Sequence, residues 1–190
     1  MPIKRKCLLL LCLLLFWGSG CSGSAQFSVS GDEATMTGYI DSNTPGEVES
    51  LLKSYPKLKK IIMDNVPGSL DDEANRKAAR MIRKHGLHTH VPKEGFISAG
   101  GVDFFIAGVK RTVDVGGKLG VHAWSDASGK SARDYPIDSS AHDKYINYYK
   151  EMGLGLQAQL YYYFTIRAAP PERVYILDRK QLLKYTLITD

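Results

Sequence analysis

The run Gly95-Phe96-Ile97-Ser98-Ala99-Gly100-Gly101-Val102-Asp103-Phe104-Phe105-Ile106-Ala107-Gly108 decides how this chain is read. Its apolar part, Ala99 to Ala107, predicts a buried helix, and Ser98 stands at the mouth of that helix. There, backbone N–H groups and the helix dipole favour negative charge on oxygen. Taken singly, such a serine is an ordinary N-cap. Two other segments change the reading. Leu119-Gly120-Val121-His122 ends an apolar strand on an imidazole that can serve as base, although a lone histidine there is more often a core residue bonded to backbone. Upstream, Asp64-Asn65-Val66-Pro67-Gly68-Ser69 is a tight turn closing an apolar strand, and it offers backbone donors. A nucleophile, a base and a donor turn together point to acyl-transfer chemistry.

The 190 residues suit one domain with a sizeable core. Residues 1–20 read as a secretory signal: Lys4, Arg5 and Lys6 precede an apolar run from Leu8 to Trp17, with Gly18, Ser19 and Gly20 behind it. That run is short for a bilayer span. Three of the 25 basic residues lie in this signal, leaving 22 against 20 acidic ones in the body. No basic stripe interleaved with aromatics follows, so nucleic acid is not an expected partner. The cysteines, Cys7, Cys12 and Cys21, all lie in or beside the signal. The body therefore has no thiol for a disulfide, a metal or catalysis.

Along the body, residues 27–30 and 34–40 predict two strands around Gly31-Asp32-Glu33. A helix near Pro45 follows, capped by Ser42 or Thr44, then a buried strand at 59–64. Residues 70–84 read as an amphipathic helix with Ala74, Ala78, Met81 and Ile82 inward. Strands are expected at 87–91, 111–113, 118–123 and 174–177, with a polar loop over 125–139. Helices are expected at 140–152 and 156–167, and a last one capped by Asp178. This alternation of strand and helix argues for an α/β fold with parallel pairing.

The Pro67-Gly68-Ser69 turn, the serine before Ala107-Gly108 and the later His122 resemble the ClpP/crotonase superfamily, specifically its exported Clp-protease-like serine hydrolases. The resemblance covers Tyr39 to His122, and the tail from Val174 to Leu187 more loosely. It implies stacked ββα units with a helical C-terminal region. It also implies an oxyanion hole from the amides of Gly68, Ser69 and Ala99, with Ser98 as nucleophile and His122 as base. Arg111 falls where these proteins often carry a basic residue. Three departures stand out. Val66 and Ser69 replace the serine and second glycine that flank the family's Pro-Gly. Counted back from Gly108, Ser98 lies one residue farther than the usual nucleophile, so a bulge or a shift at Ala99-Gly100 must absorb it. The family's acid is missing from its place. Glu172 is the expected substitute, with Asp126, Asp143 and Asp178 as alternatives.

Cys21 resembles the lipid-modified cysteine of bacterial lipoproteins, with Ser22 matching the outer-membrane default. Residues 22–30 then serve as tether and first strand, and 31–190 as one ClpP-like domain. The functional expectation is a cell-envelope serine hydrolase acting on peptide bonds, periplasmic and lipid-anchored to the outer membrane. The alternative is a catalytically inactive ClpP-like binding or scaffold lipoprotein. Neither cofactor nor metal is expected. His85, His88 and His90 lack a carboxylate at metal-site spacing, and Lys93 and Lys110, the candidates for a serine–lysine dyad, look solvated. An acyl-CoA enzyme fits an exported chain poorly. Trp124, Ser125 and Asp126 are expected beside the cleft. The tyrosine-rich helices are expected to pack the core or meet a partner, and assembly with further copies is consistent with the resemblance.

Overall fold

The computed structural model describes residues 23–189. The signal segment and Cys21 lie outside the described residues. Strands β1 (Gln26–Ser30) and β2 (Glu33–Thr37) form an antiparallel hairpin, and β2 runs parallel to β3 (Lys60–Val66). At β3 the sheet forks. The first half of β3, Lys60–Ile62, pairs with β4 (His88–Val91), while its end, Asn65–Val66, pairs with β5 (Phe96–Ser98). From β4 the ladder continues to β6 (Arg111–Val113). From β5 it continues to β7 (Lys118–Val121) and then to the antiparallel β8 (Tyr175–Ile176). Pro92 separates β4 from β5, because it cannot donate to a ladder. The fork sets the ends of β3 and β5 side by side.

Helix α1 (Thr44–Ser54) starts with Pro45, whose fixed φ suits a first turn. Neither expected cap closes it, since its N-cap is Asn43 without a side-chain bond. Helix α2 (Asp72–Lys84) is capped by Asp71, which accepts from the N–H groups of Glu73 and Ala74 at 3.0 and 2.9 Å. Its buried face is Ala74, Asn75, Ala78, Ala79 and Ile82, small enough for close approach to α1 and to α3 (Gly100–Ile106). Met36, Ile61, Met63, Ile97, Phe104 and Phe105 are fully buried between sheet and helices. This is the expected α/β architecture of stacked ββα units.

The C-terminal region adds α4 (Asp143–Tyr149), a π-helical segment Lys150–Leu154, α5 (Gln157–Ala168) and α6 (Arg179–Lys184). Asp178 caps α6 as expected, accepting from Gln181 N–H at 2.8 Å. The tail is fastened by Arg111, a buried side chain. Its Nε donates to Leu187 O at 2.9 Å, its Nη1 to Gly108 O at 2.9 Å and its Nη2 to Thr186 O at 2.8 Å.

Two local expectations change. Ser98 is the last residue of β5 rather than the opener of a helix, and the helix starts at Gly100. At the front of the domain, Gly23 and Ser24 bond to residues after β2. Gly23 O accepts from Tyr39 N–H at 2.9 Å, and Ser24 Oγ donates to Asp41 at 2.5 Å.

Candidate functional site

The fork creates the site. Where β5 ends, the chain must reverse from strand into α3, and Ala99 makes that turn at φ 48, ψ −121. An L side chain with positive φ is uncommon and costs of order 1–3 kcal/mol of backbone strain. Close packing enforces it. A Cβ on Gly100 would collide with the Ser69 side chain, and one on Gly101 with the Val66 carbonyl. The two glycines thus let the head of α3 sit against the Pro67-Gly68-Ser69 turn, and Asn75 Nδ2 holds it there through Gly100 O at 2.7 Å.

Ser98 and Ala99 face different surroundings. Ser98 is 3% exposed, and its hydroxyl donates to Pro67 O at 2.7 Å. Ala99 lines a cleft of about 220 Å³ together with His122, Trp124, Ser69, Asp72 and Asp103. Ser98 is absent from that lining. His122 Nδ1 bonds its neighbour's carbonyl, Ala123 O, at 2.8 Å. Among the described residues no hydrogen bond joins Ser98 to His122, or His122 to a carboxylate.

Of the three expected donors, one is already engaged. Ala99 N–H, expected in the oxyanion hole, donates to Gly120 O at 2.9 Å and is therefore committed to the β5–β7 junction. The N–H groups of Gly68, Ser69 and Gly100 make no hydrogen bond among the described residues. Gly68 lies against Ala99: a Cβ built on it would stand 3.7 Å from the Ala99 Cβ. Its φ of 152° favours glycine at this turn.

None of the expected acids bonds to His122. Glu172, Asp143 and Asp178 are exposed, and Asp178 is occupied as a cap. Asp126 binds Tyr135 Oη and Ser128 Oγ, and these bonds hold its carboxyl well below the usual range. Of the expected cleft neighbours Trp124 and Ser125 line it, whereas Asp126 does not. Lys93 and Lys110 are exposed, as expected. His85 Nδ1 bonds Met81 O and His90 Nδ1 bonds Thr112 Oγ1.

Two cleft carboxylates were not anticipated. Asp72 accepts from Ser69 Oγ at 2.6 Å and from Tyr145 Oη at 3.1 Å. Asp103 accepts from Tyr149 Oη at 2.7 Å through one oxygen only. Burial pushes the Asp103 carboxyl up to about 7; the charge of Asp72 adds to the rise and the Tyr149 hydroxyl opposes it. The sequence did hold a signal for Asp103, which is the sole charged residue in an otherwise apolar helix. Aromatic rings share the cleft with these acids. Trp124 stacks on Tyr145 at 5.5 Å, Tyr145 on Tyr162 at 5.7 Å, and Trp124 Nε1 donates to Tyr162 Oη at 2.9 Å.

With this geometry in hand, the comparisons place the fold. No family model matches the sequence, and no curated protein matches it. Solved structures do. Two mutants of the membrane-bound stomatin-specific protease 1510-N are similar. The one in complex with a substrate peptide has a TM-score of 0.53 and 15% identity, covering 79% of this chain and 71% of that one. The other has a TM-score of 0.57 and 16% identity, covering 81% and 75%. An enoyl-CoA hydratase from Bacillus anthracis has a TM-score of 0.54 and 9% identity, covering 86% and 68%. The chain has the ClpP/crotonase fold, shared by peptidases and acyl-CoA enzymes.

Proposed function

We propose that this chain is a non-hydrolytic protein built on the ClpP-type peptidase fold, a cleft that holds a peptide carbonyl without attacking it. One observation carries the reading. In a nucleophile elbow the attacking side chain sits on the strained strand-to-helix turn, exposed to the site. Here that turn is Ala99, and a methyl group cannot attack. Ser98, one residue earlier, spends its proton on Pro67 O. A serine needs a base within hydrogen-bond reach to become nucleophilic, and none bonds it.

The carbonyl-binding half of the machinery remains. The N–H groups of Gly68, Ser69 and Gly100 are without partners among the described residues, and Ser69 and Gly100 line the cleft with Ala99, which supports a role in holding a carbonyl oxygen. A peptide is the proposed ligand because the similar stomatin-specific protease was solved with a substrate peptide. Export and a lipid anchor on Cys21 complete the proposal. With Gly23 docked on Tyr39, the anchor would hold this domain close to the membrane surface.

Ala99→Ser tests the elbow. Treated with a fluorophosphonate and read by intact mass, this variant should gain one adduct, mapped to position 99. A folded variant that takes no adduct would remove the assignment.

A further inference from the structure

We infer that the cleft carries a subsite for a protonated amine, formed by Asp103 and Asp72 together with the rings of Trp124, Tyr145 and Tyr162. The inference rests on the peptide-binding reading above and specifies which peptides fit.

Charge comes first. Asp72 and Asp103 both line the cleft, and no lysine or arginine does. Asp72 is satisfied by two hydroxyls, from Ser69 and Tyr145, while Asp103 has one oxygen without a hydrogen-bond partner. A carboxylate held among tyrosines beside a second acid is costly to ionise, so a cation entering the cleft is the natural complement. Arg76 lies 5.6 Å from the Tyr145 ring and Lys144 Nζ lies 5.0 Å from it. Neither forms an ion pair with Asp72 or Asp103.

The aromatic wall is the second, independent feature. An aromatic face attracts a cation lying within about 6 Å of its ring centroid. Lys144 Nζ already stands 5.9 Å from Trp124, so these rings take cations in the unliganded protein. Size is the third. A cleft of about 220 Å³ is below the roughly 300–1,000 Å³ of sites for drug-sized ligands, and it suits one extended side chain. With a carbonyl on the Ser69 and Gly100 amides that line the cleft, the amine belongs to a lysine side chain or to the peptide's own N-terminus.

Trp124 makes the test direct, because Trp17 is the only other tryptophan. The full chain carrying Trp17→Phe is titrated at pH 7.5 with n-butylammonium and with n-butanol, reading Trp124 fluorescence. The ammonium should bind at least tenfold more tightly than the alcohol, and Asp103→Asn should remove that difference. Nα-acetyl-lysinamide and alaninamide then separate the two sources of the amine, the tighter one identifying it. Equal response to ammonium and alcohol, or a preference that survives in folded Asp103→Asn and Asp72→Asn, overturns the subsite. Fluorophosphonate labelling of the wild-type chain at Ser98 would instead overturn the non-hydrolytic reading, so the two failures are told apart.

Discussion

Ser98 Oγ donates to Pro67 O across 2.7 Å, tying the end of β5 to the donor turn after β3. The bond gives the serine a structural role. Ser98→Ala should cost about 1–2 kcal/mol by leaving a buried carbonyl without its donor. Urea denaturation measures this, and Trp124-detected ligand titrations should be unchanged.

Asp103 gives stability a pH signature. A carboxyl raised from 3.8 to about 7 in the folded state favours folding at low pH, and that advantage is lost as pH rises through the folded value. Asp103→Asn should therefore differ little from wild type near pH 4. Above pH 7 it should be more stable by about 2–4 kcal/mol, at roughly 1.4 kcal/mol per unit. Thermal melts across pH 4–8 read the divergence. A carboxyl kept in place at this cost is better explained by a role in the cleft than by packing.

Ammonium binding should carry the opposite sign. Affinity for n-butylammonium should rise as pH passes through about 7 and Asp103 ionises. The charged and titratable groups around Asp103 are Asp72, Arg76, Tyr148, Tyr149 and Tyr161, with His122 in the same cleft. Asp103→Asn should flatten the profile.

The residues that meet at the cleft were partly legible in the sequence. Pro67-Gly68 as donor turn and His122 as cleft residue follow from local pattern. So does the α/β alternation, because strand and helix periods differ. The one-residue question at Ser98-Ala99 does not. Three-residue strands give no usable alternation, so sequence cannot say whether β5 ends at residue 97 or 98. The count back from Gly108 falls on Ala99, the residue at which the chain turns from β5 into α3. Asp72 was hidden as an ordinary polar residue in the first turn of α2, and its partners Ser69 and Tyr145 come together only in the tertiary fold.

Two glycine variants test the packing that holds Ala99 in its strained turn. Gly100→Ala would drive a methyl group into Ser69 and Asn75, and should cost at least about 1–3 kcal/mol as overpacking. Gly46→Ala, where nothing lies within 4 Å, should instead stabilise by about 0.4–1 kcal/mol. Chemical denaturation of both reads the contrast.

Arg111→Met should release the tail. Its guanidinium donates to carbonyls of α3, its C-terminal turn and residues 186–187, and loss of these charge-assisted bonds should cost on the order of 2–4 kcal/mol. Amide exchange at Leu187 and Thr189 should accelerate before the rest of the domain responds.

The central claim is that Ala99, not Ser98, occupies the nucleophile's place. Its most direct test is intact mass after treating the wild-type chain and Ser98→Ala with a fluorophosphonate. Neither should take an adduct. A wild-type adduct that disappears in folded Ser98→Ala would contradict it.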